Sequence, residues 1–374
     1  MINLQSLLLW LCEKKESKRF NRLYKENKSM FQASFLTDSP PDSIEWCPVR
    51  QNIFACGTYL YNPENTTRQG SIYLFQYNSS SKTIEVNQQQ STEGILDLKW
   101  VQCSPEHTFL STVSALGQLS LYPSNDLTKP IICEDVTNDQ TIALAHSWFH
   151  LTNHYVIISD QQGYLSVCEL DNTNGLRFSQ SWSAHEYECW ACAWDKHDPN
   201  VAYSGADDTL FKIWDIRDCK QATHVNRKHT MGICSIVVDE TNPYELLTGS
   251  FDEYLRQWDK RQMTNPVKDI KLGGGVWKIR PHPLNHDLLL CACMQNGFVI
   301  VDLKLLKILC HYTQHGSLAY GCDWQANDSI NQLSELMDDC MAVETSTIDT
   351  GKILSESLIA SCSFYDKTVH VWSQ

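Results

Sequence analysis

The sequence predicts an all-β fold, a seven-bladed WD-repeat β-propeller closed by an N-terminal strand. Three observations carry this expectation. Ala184-His185, Tyr203-Ser-Gly-Ala-Asp-Asp208 and Ile213-Trp-Asp215 recur as Lys228-His229, Leu247-Thr-Gly-Ser-Phe-Asp252 and Gln257-Trp-Asp259. The pairs His185/His229, Asp208/Asp252 and Trp214/Trp258 are each 44 residues apart, and a period of about 40–45 residues ending in Trp-Asp marks a four-stranded blade. Finally, the chain stops two residues after Trp372, before the last blade has room for its outer strand.

Weaker copies account for the other blades. Residues 43–77, 94–122, 144–170 and 275–303 each show an apolar run, a polar or glycine turn and a second apolar run. The last copy passes from His315-Gly316 through Tyr320-Gly-Cys-Asp-Trp324 to Leu358-Ile-Ala-Ser-Cys-Ser-Phe-Tyr-Asp366 and Val371-Trp372, which makes seven. An open outer edge would leave backbone donors and acceptors unpaired. Phe31-Gln-Ala-Ser-Phe-Leu-Thr37, just before the first blade, can supply the missing strand. The propeller is thus expected over 31–374. Residues 325–356, rich in Asp, Glu, Ser and Thr, read as an acidic loop inserted between the first two strands of the last blade.

Residues 1–30 read as an extension outside the fold, with Met30 as the natural start. Ile2 to Cys12 is apolar but about half the length of a membrane span. Lys14, Lys15, Lys18 and Arg19 follow the apolar run, whereas a signal peptide places its basic residues before it. Residues 1–30 carry a net charge of +4 and the remainder −18. A surface that acidic repels nucleic acid and anionic membrane and favours a cationic partner. The sixteen cysteines lie scattered in apolar strand patterns, as reduced cytoplasmic thiols do. Cys189 and Cys192 have the spacing of a zinc knuckle, but no second pair completes four ligands, so no metal and no cofactor is expected. Asn65-Thr-Thr and Asn78-Ser-Ser match glycosylation acceptors that a cytoplasmic protein would not use.

A histidine, a serine or threonine, an aspartate and the tryptophan can link by hydrogen bonds across a strong blade. His185, Ser204, Asp208 and Trp214 fit that pattern, as do His229, Thr248, Asp252 and Trp258. A His/Asp/Ser trio invites a triad reading, yet its repetition in two blades points to structure. Breaking such a buried pair costs roughly 3–5 kcal/mol. No nucleophile elbow, zinc-protease motif or phosphate loop occurs, and Gly273-Gly274-Gly275 lacks the Lys-Ser/Thr ending of the last. Residue chemistry alone therefore leaves a scaffold propeller in view.

Several segments are more particular than a generic repeat: Asp42-Ser-Ile-Glu-Trp-Cys-Pro48, Ala55-Cys-Gly-Thr-Tyr59, Lys228-His-Thr-Met-Gly-Ile-Cys-Ser-Ile236, Gly249-Ser-Phe-Asp-Glu253, Gly273-Gly-Gly-Val-Trp277, Cys293-Met-Gln-Asn-Gly-Phe298, Tyr320-Gly-Cys-Asp-Trp324 and Ser361-Cys-Ser-Phe-Tyr-Asp366. In this order, over residues 31–372, they resemble the diphthine methyltransferase family of the diphthamide pathway. Despite its name, that family acts as a methylesterase. The resemblance implies hydrolysis of diphthine methyl ester on translation elongation factor 2, giving diphthine and methanol, by a cytoplasmic monomer. It hands over no agreed catalytic residue. The competing class is a non-catalytic platform that presents a client protein to other factors.

The residues themselves suggest where such chemistry could sit. A trimethylammonium group cannot donate hydrogen bonds and is held by aromatic faces and carboxylates. Trp190, Phe251, Trp277, Tyr320, Phe364 and Tyr365 fall at entry strands and turns of one propeller face, with Asp207, Glu253 and Asp323 nearby in sequence. Cys234 is a candidate thiolate, although it also reads as a buried strand cysteine. Glu253 and Asp323 are candidate bases for water. Gly273, Gly274 and Gly275 could offer backbone N–H groups to an oxyanion, or simply form a tight turn between blades.

Overall fold

The computed structural model describes residues 30–104, 107–149, 154–170, 175–325 and 357–374. The expected extension (1–30) and the acidic insertion (325–356) lie outside them, apart from Met30, which opens the first strand, and Gln325. Seven antiparallel sheets follow one another along the chain. Their innermost strands are Pro41–Trp46, Ile95–Ser104, Ala143–Trp148, Ala191–Trp194, Ile233–Val238, Lys278–His282 and Ala319–Trp324. Each lies beside the next, and Ala319–Trp324 returns to Pro41–Trp46, so the ring is closed.

Both faces of a blade are covered by neighbouring blades, which is why the second strands read as continuous apolar runs. Ile53–Thr58 (Ile-Phe-Ala-Cys-Gly-Thr) is buried at every position. The core is accordingly divided into clusters between blades. Ile157, Leu165, Val167 and Trp182 of the third blade meet Cys192, Trp194, Ala202 and Trp214 of the fourth. Phe54 and Phe75 of the first meet Cys362, Val369 and Val371 of the seventh.

The seventh blade is built from both ends of the described chain. Met30–Leu36 pairs antiparallel with Thr368–Ser373, in register from Phe31 opposite Trp372 to Leu36 opposite Thr368, with one irregularity between Phe31 and Ala33. The Thr37 N–H then donates to the Lys367 carbonyl at 2.9 Å. The Phe31 ring stands edge-on to His370 at 5.2 Å. The closing strand begins one residue earlier than the sequence suggests, and the seam carries no unpaired ladder.

The polar groups of the strong repeats form the expected chains. In the fourth blade the Trp214 indole donates to Ser204 Oγ (2.8 Å), Ser204 Oγ lies 2.7 Å from His185 Nε2, and His185 Nδ1 lies 2.8 Å from Asp208 Oδ2. The fifth repeats this with Trp258, Thr248, His229 and Asp252 at 2.9, 2.7 and 3.0 Å. Every donor thereby finds an acceptor inside the blade. The seventh blade holds a third version that the repeat comparison missed. Trp372 donates to Ser361, which meets His315 Nε2 at 2.9 Å, but Thr368 replaces the carboxylate at Nδ1, at 2.7 Å. The aspartate of this blade, Asp366, instead accepts the Gly316 N–H.

Deleting residues 31–37 is expected to lower the thermal midpoint markedly, whereas deleting 1–29 leaves it unchanged; equal midpoints by differential scanning fluorimetry would contradict the closure. A pH dependence also follows. His146, His185, His229 and His315 are held below the usual imidazole range chiefly by burial, and His282 and His370 are lowered to about 4 for the same reason. Neutral when folded, they take up protons on unfolding, so stability falls as pH drops below the unfolded value near 6.5. His286, raised mainly by its bond to Asp239, and the carboxyls of Asp42 and Asp323, raised by burial, oppose these six histidines but are fewer. The thermal midpoint should therefore decline steadily between about pH 7 and about pH 5.

Candidate functional site

The mouth of the central channel is built from one repeated irregularity. In the inner strands of blades one, two, three, five and seven the ladder slips between Pro41 and Ser43, Ile95 and Asp97, Ala143 and Ala145, Ile233 and Ser235, and Ala319 and Cys322. A bulge frees a residue from pairing and re-aims its side chain. The freed residues are Asp42, Leu96, Leu144, Cys234 and Tyr320 (with Gly321). In blades four and six the equivalent positions, one before the first paired residues Ala191 and Lys278, are Trp190 and Trp277. Gly321 is required here: a Cβ on it would lie 2.8 Å from the Ile44 nitrogen and 2.9 Å from Cys362 Sγ.

Six of these seven side chains, all except Cys234, line an apolar pocket of ≈ 60 Å³. Tyr59, Phe251 and Phe364 complete it from the turns after the second strands, together with Ile142. First strands begin and second strands end at this face, which is why residues so far apart in sequence meet. The aromatic rings are continuous. Trp277 lies 5.4 Å from Trp190, 5.8 Å from Phe251 and 4.8 Å from Tyr320, and Tyr320 stacks on Phe364 at 4.8 Å. The Trp190 indole is fixed by donating to Asp207 at 3.0 Å.

Five of the six aromatic candidates from the sequence, Trp190, Phe251, Trp277, Tyr320 and Phe364, thus share one pocket; Tyr365 is exposed and lines neither cavity. The catalytic candidates do not join them. Cys234 lines the deeper part of the channel, but burial holds its thiol well above the ordinary range, with the negative charge of Asp207 adding to the rise, so it is no ready thiolate. Glu253 sits in a surface turn, ion-paired with Lys271 at 3.1 Å. Asp323 is pushed up to about 7 by burial, but it lies further down the channel, accepting the Trp46 N–H at 2.8 Å beside Arg280. Gly273, Gly274 and Gly275 form the turn into the sixth blade, where a Cβ on Gly274 would meet the Cys293 carbonyl at 2.1 Å; they line neither cavity.

The carboxylate that does line the pocket is Asp42, a site residue the sequence reading passed over. It is also shared with a second, polar chamber of ≈ 130 Å³ directly below. Burial pushes its carboxyl up to about 8, against the positive charge of Lys278, which lowers it. Lys278 belongs to the sixth blade, yet its ammonium reaches Asp97 of the second at 3.1 Å. Asp97 also binds Lys99 at 3.3 Å and lies 3.2 Å from His146 Nδ1; against the cost of burial, the charges of Lys278 and Lys99 and the His146 contact hold it well below the usual carboxylate range. One tier lower, Arg280 pairs with Glu45 at 2.8 Å. An apolar, largely aromatic pocket therefore stands on a charged floor, with Asp42 at the boundary.

The comparisons with known proteins bear on both levels. The family described as WD domain, G-beta repeat matches residues 176–215 and 220–259, the two strongest blades. Diphthine methyltransferase of Homo sapiens is 32% identical over 330 residues, covering 77% of this chain and 73% of its own length. The protein of that name from Mus musculus is 28% identical, covering 90% of this chain and 92% of its own length. That of Saccharomyces cerevisiae is 25% identical, covering 86% and 93%. With aligned identity running through the propeller, and not only through its repeat signature, this chain belongs to the diphthine methyltransferase family.

Proposed function

We propose that the protein is a methylesterase that hydrolyses diphthine methyl ester on translation elongation factor 2, releasing methanol and leaving the carboxylate that amidation requires in diphthamide biosynthesis. One observation carries this reading beyond family membership: the aromatic candidates gather around a single pocket whose one acidic residue is Asp42. A trimethylammonium group offers no hydrogen-bond donor, and such a pocket suits it. Each aromatic face contributes about 0.5–2 kcal/mol to holding a cation, most where water is excluded. The carboxylate of Asp42 supplies the counter-charge. A methyl ester on a protein side chain would enter from the open mouth of the propeller. We place the protein in the cytoplasm, acting as a monomer.

The test is mass spectrometry of elongation factor 2 bearing diphthine methyl ester, before and after incubation with the purified protein. Loss of one CH₂ from the modified peptide is expected. An unchanged mass, with the folded protein still binding the factor, would favour a presenting scaffold. Trp277→Ala in a folded variant should raise KM roughly two- to thirtyfold with a smaller effect on kcat, matching the cation–π range of about 0.5–2 kcal/mol; an unchanged KM would place the cation elsewhere.

A further inference from the structure

We propose that Asp42 is the general base of ester hydrolysis at this site and that the Lys278 ammonium receives the developing oxyanion. This rests on the methylesterase reading and assigns its chemistry. In diphthine methyl ester the quaternary nitrogen and the ester carbonyl share one carbon. Once the aromatic walls hold the trimethylammonium group, the carbonyl sits beside it, two bonds from the nitrogen. Among the residues lining the apolar pocket only Asp42 carries an acid or basic group of the right strength to take a proton from water; Tyr59 and Tyr320 are phenols. Asp42 also borders the polar chamber, which has room for the attacking water and is lined by Lys278.

The other acids and bases near the channel are ion-paired or lie outside the apolar pocket. Asp97 is held by Lys278, Lys99 and His146. His146, at the inner-strand position equivalent to Ile44, Leu98 and Ile279, lines the polar chamber but not the apolar pocket that would hold the cation. Asp323 lines neither cavity. Asp97 therefore acts as a positioning residue: it draws the Lys278 side chain across the channel to the chamber below Asp42.

The step balances without a cofactor. The Asp42 carboxylate accepts a proton from water as its oxygen bonds to the ester carbon, and the carbonyl π electrons move onto oxygen beside Lys278. The tetrahedral intermediate re-forms the carbonyl, and the C–OCH₃ bond breaks. Methoxide takes the proton from Asp42 and leaves as methanol. The new carboxylic acid ionises, and its proton passes to solvent.

The titratable and charged groups around Asp42 are Tyr59 of its own blade, Asp97 of the second, Lys278 of the sixth, and Tyr320 and Cys362 of the seventh. In the free protein burial leaves its carboxyl near 8, so much of it is protonated at neutral pH. A bound quaternary cation favours the ionised form and lowers that value. The substrate itself thus generates the base. The expected signature is a kcat/KM profile that rises with pH toward a plateau above about 8, with the corresponding limb of kcat at lower pH.

The experiment measures methanol release from elongation factor 2 carrying diphthine methyl ester, using the full-length protein and variants checked by thermal midpoint. Asp42→Asn should lower kcat roughly a hundredfold or more and abolish the limb. Asp42→Ala should be partly rescued by added formate, a response no structural role would produce. Lys278→Met should lower kcat on the order of a hundredfold with a smaller change in KM. A saturated rate in Asp42→Asn close to the wild-type value, or the same pH limb in that variant, would overturn the base. An undiminished kcat in Lys278→Met would overturn the oxyanion role. No methanol from the wild-type protein would instead remove the esterase reading itself.

Discussion

The pairing of Met30–Leu36 with Thr368–Ser373 is the contact on which the rest of the molecule depends. A propeller blade has no core of its own; its apolar faces are covered only by the blades on either side. At the seam, Phe54 and Phe75 are covered by Val369 and Val371 because the seventh blade is held in place there. The same seam runs through the pocket. Asp42 and Tyr59 belong to the first blade, Tyr320 and Phe364 to the seventh, so the carboxylate and half of the aromatic wall face each other across the junction. An opened ring would lose the site before it lost its sheets.

A second constraint acts across the axis. Lys278 and Asp97 come from non-adjacent blades and meet at 3.1 Å, with Arg280 and Glu45 meeting at 2.8 Å below them. Desolvation makes a buried ion pair a weak source of net stability, while loss of one partner strands the other. These pairs are thus better understood as setting where charge can sit. They give the channel a polar floor beneath an apolar mouth, and the change of environment occurs at Asp42. That boundary accounts for a carboxyl raised by burial yet within reach of a cation.

Much of this architecture was legible in the sequence because propeller geometry repeats. The 44-residue spacing located two complete networks, and the missing outer strand pointed to Phe31–Thr37 before any contact was known. The aromatic wall was legible because a methylated cation demands such residues and the face of the fold supplies them. The catalytic candidates were less legible, and for a physical reason. Glu253 and Asp323 adjoin the aromatic candidates in sequence, but whether a strand residue faces the axis depends on the bulge in its ladder, which leaves no simple periodic trace; Cys234 does face the axis, but burial holds its thiol protonated. Asp42 follows Pro41 in an ordinary-looking strand, and only the slip opposite Thr58 and Gly57 shows that it turns inward. The blade-seven network escaped because Thr368 takes the place of the aspartate. Lys278 could not have been assigned at all, since its partner lies 181 residues away.

The ring of freed residues has a consequence for how such a site arises. Asp42, Leu96, Leu144, Trp190, Cys234, Trp277 and Tyr320 occupy the same place in seven near-equivalent blades, yet among neighbours only Leu96 and Leu144 are alike. Since each stands at the start or at a slip of its strand, its side chain can change without disturbing the backbone bonds that hold the blade. A rotationally symmetric frame therefore carries an asymmetric address, written one letter per blade, and a new ligand could be accommodated by rewriting single letters while the frame stays intact.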